Sequence, residues 1–132
     1  MIRRSLPYAG LLHEIVEHNG VIYFAGIVSE DLELDMAGQT SDVFRQLDLL
    51  LEASGSDRSR VLSVLVFLAD LRDKAVFNQH WVDFFAPEHL PARAAIGAGD
   101  LGPGVKLEIV VTAAKRAELT DLSQADDSRA GA

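Results

Sequence analysis

An α+β sandwich, in which two helices cover one face of a mixed sheet, is the architecture this chain predicts, and three features carry that expectation. The hydrophobic period switches along the chain from strand-like to helix-like and back, in the order ββαβαββ. Asn19-Gly20 separates two of the strand-like runs, and such a pair readily takes the positive φ values of a tight hairpin turn. The run Val61 to Leu68 is apolar at both parities apart from Ser63, so it asks for cover on both faces of its sheet.

The first two strands, Leu12 to His18 and Val21 to Ala25, make the hairpin around Asn19-Gly20. From about Gln39 to Ala53, Val43, Leu47, Leu50 and Leu51 recur at helical spacing, and Gly55 is the C-terminal stop. Val61 to Leu68 follows as a β-branched and aliphatic strand. Asp70 to Phe85 then returns to helical spacing through Val76, Phe77, Trp81, Phe84 and Phe85, until Pro87 ends the helix. Those aromatic residues read as its core face. Ser54, Ser56 and Ser59 fall between a helix and a strand, where they serve as caps and turns and lack the strand-to-helix elbow of a nucleophilic serine. Strands near Ala92 to Ala98 and Val105 to Ala114 close the order. Residues 1–116 read as a single domain, and 117–132, small, polar and partly acidic, as a disordered tail.

One helical layer leaves the second apolar face of the sheet bare, so another subunit is its natural cover and a homo-oligomer is expected. With Leu107, Ile109 and Val111 turned to the helices, Glu108 faces the subunit side, and a pocket there lies at or near an interface.

Composition narrows the function classes. At 132 residues the chain can bury a core without cross-links, and the absence of cysteine removes disulfides, thiolate zinc sites and a cysteine nucleophile. A net charge of −8 argues against non-specific nucleic-acid binding. Arg3 and Arg4 precede no long apolar run, so neither a cleaved signal nor a membrane span is expected, and the protein reads as cytoplasmic. His13, His18, His80 and His89 show no metal-ligand spacing. Gly97 to Gly102 matches G-x-G-x-x-G literally, but Pro103-Gly104 and a strand follow it where a dinucleotide fingerprint must open a helix.

Two charges stand where an apolar sheet least wants them. Arg93 opens the segment Ala94-Ala95-Ile96, and Glu108 sits inside the strand around Leu107 and Ile109. Either they form a structural ion pair across strands, or Arg93 grips an anionic substrate while Glu108 handles protons or water.

At this point the residues resemble the RidA/YjgF family of reactive-intermediate (enamine/imine) deaminases. The resemblance runs through Val21-Ile22-Tyr23-Phe24-Ala25-Gly26, Gln39-Thr40, Val66-Phe67-Leu68-Ala69-Asp70, Phe77-Asn78-Gln79-His80-Trp81, Phe84-Phe85, Pro91-Ala92-Arg93 and Lys106-Leu107-Glu108-Ile109. Together these span roughly 15–114 in a specific order. The resemblance implies a chorismate-mutase-like fold, a homotrimer with clefts between subunits, and deamination of 2-imino acids to 2-keto acids and ammonia without metal or organic cofactor. It also implies that Arg93 holds the substrate carboxylate, that Glu108 is associated with the hydrolytic water, and that Gly26, Asn78 and Ala95 lie at the substrate. The chain departs from well-known members at Leu12, where a polar residue or tyrosine is usual, at Ile27 for a frequent glutamine, and at Ala95 for a frequent cysteine. These departures resemble a divergent paralogue branch.

The residue types suit the chemistry. A guanidinium fixes a carboxylate through two parallel N–H bonds, and a glutamate beside the imine carbon can take a proton from water as it attacks C=N, then return one as ammonia leaves. The alternative from another class is a non-catalytic trimeric binding protein for small carboxylate metabolites, which needs Arg93 but not the proton chemistry of Glu108. A purely structural trimer would leave the two residues as an ion pair.

Overall fold

Residues 1–117 are described by this computed structural model, and they form six strands and two α-helices. In chain order these are β1 (Arg3–Tyr8), β2 (Leu12–His18), β3 (Val21–Phe24), α1 (Met36–Ala53), β4 (Val61–Leu68), α2 (Lys74–Phe84), β5 (Ala92–Gly97) and β6 (Leu107–Ala114). One sheet takes all six strands in the order β1-β2-β3-β6-β4-β5, parallel only between β4 and β5. Of the tail expected over 117–132, all beyond residue 117 lies outside the described residues.

The expected order ββαβαββ needs one correction, because β1 precedes it and makes the order βββαβαββ. The sequence hides β1 for a physical reason. Every residue of Arg-Arg-Ser-Leu-Pro-Tyr is exposed, so no burial imposes the period-two alternation that marks a strand, and Pro7 is tolerated because β1 is an edge. The hairpin at Asn19-Gly20 forms as expected, with φ of 52° and 76° at the two turn residues.

Helix α1 starts at Met36, a turn earlier than the apolar periodicity suggests. Asp35 caps it by accepting from the Gly38 N–H at 2.8 Å, a contact of a kind that contributes about 1 kcal/mol. At the other end the Gly55 and Ser56 N–H groups close back on the carbonyls of Glu52 and Leu51, so Gly55 is the stop that the sequence suggests. Ser54 and Ser56 spend their hydroxyls on the carbonyls of Leu50 and Ala114, as turn and cap residues do.

The helices cover the face that carries Ile15, Ile22, Phe24, Val64, Val66, Leu107, Ile109 and Val111, all buried. Phe77, Trp81 and Phe85 are buried against them as the core face of α2, and Phe44 of α1 stacks on Phe84 with ring centroids 4.6 Å apart. The opposite face is bare and apolar. Tyr23, Leu62, Leu65 and Ile96 are each more than 40% exposed there. Among the described residues no helix is long and apolar enough to cross a membrane.

Buried Gln39 locks the loop before β6. Its amide donates to the carbonyls of Leu34 (3.0 Å) and Gly104 (2.9 Å) and its oxygen accepts from the Lys106 N–H at 3.1 Å, so a side chain fully removed from water keeps its polar atoms satisfied. The loop that delivers Glu108 to β6 is thereby pinned to the first turn of α1.

A candidate active site in two halves

Arg93 and Glu108 do not form the cross-strand ion pair that the sequence leaves open. Register decides this. Arg93 pairs with Val64, which pairs in turn with buried Val111, so Arg93 points to the helix side of the sheet. Glu108 pairs with Phe67, which is also the partner of Ile96, and so it points to the bare side. One chain holds the two charges on opposite faces.

The Arg93 half is built by α2. The guanidinium lies 4.8 Å from the Trp81 ring centroid and 5.4 Å from that of Phe77, and its Nη2 donates to Asn78 Oδ1. Burial lowers its pKa from the ordinary arginine value, although a guanidinium stays charged throughout the physiological range. Ala95 sits two residues on, on the same face. Among the described residues no carboxylate pairs with Arg93, unlike the arginines beside the roughly 400 Å³ groove between α1 and α2. There Arg45 is bound to Asp42 at 2.7 Å and Glu30 at 3.0 Å, and Arg58 to Asp48 at 2.9 Å. An exposed cation already paired is a poor anion receptor. Arg93, steered by aromatic rings and an amide, is a better one.

The Glu108 half opens on a cavity of about 520 Å³. Its carboxylate rests on Gly26, where a Cβ would run into Glu108 Oε2 and lie 2.9 Å from Cδ, so only glycine leaves the carboxylate where it is. The Gly26 segment is held from both sides. Ile27 exchanges backbone hydrogen bonds of 2.8 and 3.1 Å with Ile109 of β6, and Gln46 of α1 donates to the Val28 carbonyl at 2.8 Å. Asp42 braces the same stretch by accepting from the Glu30 N–H at 2.8 Å. Desolvation would raise the Asp42 pKa, but that backbone N–H together with Arg45 and Gln46 outweighs it and holds the carboxyl at about 2.

Of the residues singled out in the sequence, Glu108 and Gly26 thus meet in one place, and Arg93, Asn78 and Ala95 gather in another. Leu12, at the position where the family usually has a polar residue or tyrosine, does line the cavity beside Glu108, and Tyr8, its register partner on β1, lines it too. Sequence reasoning missed two further groups. The helical spacing of Phe77 and Trp81 points to the core, yet their rings also seat Arg93, and Glu14, on the parity of Leu12, lines the cavity with no motif to mark it. Strand parity from Leu12 was the available signal for Glu14.

Residues 3–115 match the family model described as Endoribonuclease L-PSP. A RutC family protein of Haemophilus ducreyi is 42% identical over 101 residues, 76% of this chain and 86% of its own length. The RutC family protein YoaB of Escherichia coli K12 is 38% identical over 101 residues, 76% of this chain and 88% of its own. Among solved structures, that of NMB1025, a member of the YjgF protein family from Neisseria meningitidis, superposes with a TM-score of 0.83 at 36% identity, covering 89% of this chain and 98% of that one. RidA from the Antarctic bacterium Psychrobacter sp. superposes with a TM-score of 0.75 at 27% identity, covering 84% and 94%. The mixed sheet under two helices matches the chorismate-mutase-like fold of these proteins. On the match over residues 3–115 and on these relatives, the chain belongs to the RidA/YjgF family, and its kinship is with enzymes of the hydrolase and deaminase type.

Proposed function

We propose that the protein hydrolyses 2-imino acids to 2-keto acids and ammonia in a cleft between copies of a homotrimer, with Arg93 of one copy and Glu108 of another completing each site. The observation that carries this reading is the separation of the two charges onto opposite faces of one sheet, beside an apolar face that asks for cover. An arginine without a carboxylate and a glutamate without a cation, each half-buried among the described residues, are complementary parts of one carboxylate-binding and proton-handling site.

The reaction follows from those parts. Arg93 takes the substrate carboxylate through two N–H groups, which fixes the imine carbon relative to Glu108. Glu108 accepts a proton from water as the water oxygen bonds to that carbon, and the C=N nitrogen takes a proton from solvent to give a carbinolamine. The nitrogen is protonated again from Glu108, the C–N bond breaks, and ammonia leaves as the hydroxyl gives its proton back to solvent and C=O forms. Asn78 orients Arg93, Gly26 leaves room for the Glu108 carboxylate, and Ala95 borders the substrate. General acid–base assistance of this kind contributes about a hundredfold or more, and imines that already decay in water need little else.

Coupled assays test it, with an amino-acid oxidase generating imines and semicarbazide trapping the survivors. Glu108→Gln keeps shape but removes the base, so hydrolysis falls by about a hundredfold or more while a 2-keto acid still binds. Arg93→Ala loses both binding and hydrolysis. A Glu108→Gln protein that accelerates imine decay as well as the parent overturns the role of Glu108; a parent that binds keto acids but hydrolyses no imine makes the protein a carboxylate-binding trimer instead.

A further inference from the structure

The cavity beside Glu108 has a lining whose chemistry goes beyond the reaction. Strand parity puts Leu12 and Glu14 of β2 on the face that carries Glu108, since Val16, on the same parity, pairs with Tyr23 and Tyr23 with Thr112. The Ala25 N–H donates to the Glu14 carbonyl at 2.9 Å, so Glu14 lies across from Ala25 on one side of the Ala25-Gly26 stretch while Glu108 rests on Gly26 from the other. Two strand spacings, roughly 10 Å, separate the backbones that carry the two carboxylates. Tyr8, Leu12, Ala25 and Leu50 give the walls apolar stretches, and Ser29 and Gln46 add polar groups toward α1.

Among the described residues, no lysine, arginine or histidine lines this cavity. Glu30 at its edge is already neutralised by Arg45 at 3.0 Å. Glu14 is half-buried and, among the described residues, its carboxylate has neither a cation nor a hydrogen-bond donor. The apolar stretch of Leu12 and Ala25 beside a carboxylate left uncompensated among the described residues is the complement of a side chain with an aliphatic stem and a cationic head. It equally rejects an anionic side chain, which would meet two carboxylates and no counter-charge.

We propose that the cavity selects 2-imino acids bearing a long, positively charged side chain, with Glu14 as the residue that receives the cation. The inference rests on the deaminase reading above for the orientation of the substrate: its carboxylate on Arg93, its reacting carbon at Glu108, its side chain running along Ala25 and Leu12 to Glu14. Glu14 is a specificity-determining residue in this arrangement and takes no part in the proton transfers.

The test compares imines generated by an amino-acid oxidase from arginine, leucine and glutamate. The parent's kcat/KM for the arginine imine exceeds that for the leucine imine by about tenfold, equivalent to about 1.4 kcal/mol, and the glutamate imine is the poorest substrate. Glu14→Gln brings the arginine-to-leucine ratio close to one; a purely structural Glu14 would lower both rates together and leave the ratio alone. Should the variant fail to fold, the parent's own ratio is the readout, since it shrinks as salt screens the Glu14 contact. A parent that prefers leucine imine, a ratio that salt does not move, or a folded Glu14→Gln protein that keeps the parent's ratio overturns the proposal. If no imine is hydrolysed at all, the deaminase reading fails on its own, and calorimetry with the 2-keto acids of arginine and leucine decides selectivity: a tenfold preference for the guanidino acid supports it, and equal binding overturns it.

Discussion

The two halves of the candidate site are built in opposite ways. Arg93 stands on an edge strand and owes its position to side chains of another element, the rings of Trp81 and Phe77 and the amide of Asn78. Glu108 stands inside the sheet, flanked on one side by the segment after β3 and on the other by β4, and owes its position to backbone: a glycine it rests on, and a loop pinned by Gln39. The contrast suits the tasks proposed for them. A carboxylate clamp must hold a charge whose place is set by the substrate, and stacked rings hold a guanidinium while leaving its N–H edge available. A proton-handling glutamate must be held to a fraction of an ångström, and backbone is the stiffer support.

Mixing chains gives the largest effect and bears directly on the separation of the halves. Arg93→Ala and Glu108→Gln proteins are each nearly inactive alone in the proposed scheme. Unfolded together in equal amounts and refolded, they regain about a quarter of the parent activity, since random assembly leaves about a quarter of the interfaces with an intact arginine facing an intact glutamate. No recovery, from a mixture shown by sedimentation to have exchanged subunits, would mean that each site is confined to one chain.

Gly26→Ala probes the stiffness of the Glu108 half. The added methyl collides with the far end of one flexible side chain and not with backbone, so unfolding free energy changes by no more than about 1 kcal/mol. Displacement of the carboxylate nevertheless lowers imine hydrolysis by about tenfold to a hundredfold. Denaturant unfolding beside the coupled assay separates the two, and unchanged activity would show that the close contact at Gly26 positions nothing.

The smallest effect concerns the brace behind the cavity. Because the folded state holds Asp42 at about 2, below its ordinary 3.8, its contribution is present above pH 3.8 and is lost as pH falls toward 2. With Arg45 half in solvent and the interaction screened, Asp42→Asn costs about 1 kcal/mol at neutral pH. The difference between parent and variant closes near pH 2, as followed by chemical unfolding across that range; a gap that stays open in acid would place its cause outside this ionisation.

Most elements were legible because each is dictated by neighbours in the chain. Val61 to Leu68 was delimited by its apolar run, the Asn19-Gly20 turn by its backbone preference, and the end of α1 by Gly55. Strand β1 was not legible, since a fully exposed edge carries no periodic burial to read. The start of α1 is hidden in the sequence because the Asp35 cap precedes the apolar repeat that announces the helix.

Apart from β1, the sequence by itself determined the element types, the core face of each helix and the residue types of the candidate site, because these follow from side-chain period, turn chemistry and charge. Tertiary structure alone decided that Arg93 and Glu108 point away from each other, that Trp81 and Phe77 seat the arginine, and that Tyr8, Glu14 and Gly26 gather beside the glutamate. The reason is register. Which face Arg93 and Glu108 take depends on pairings with residues distant in the chain, Val64 with Arg93 and Phe67 with Glu108, and a slip of one residue would have reversed those faces.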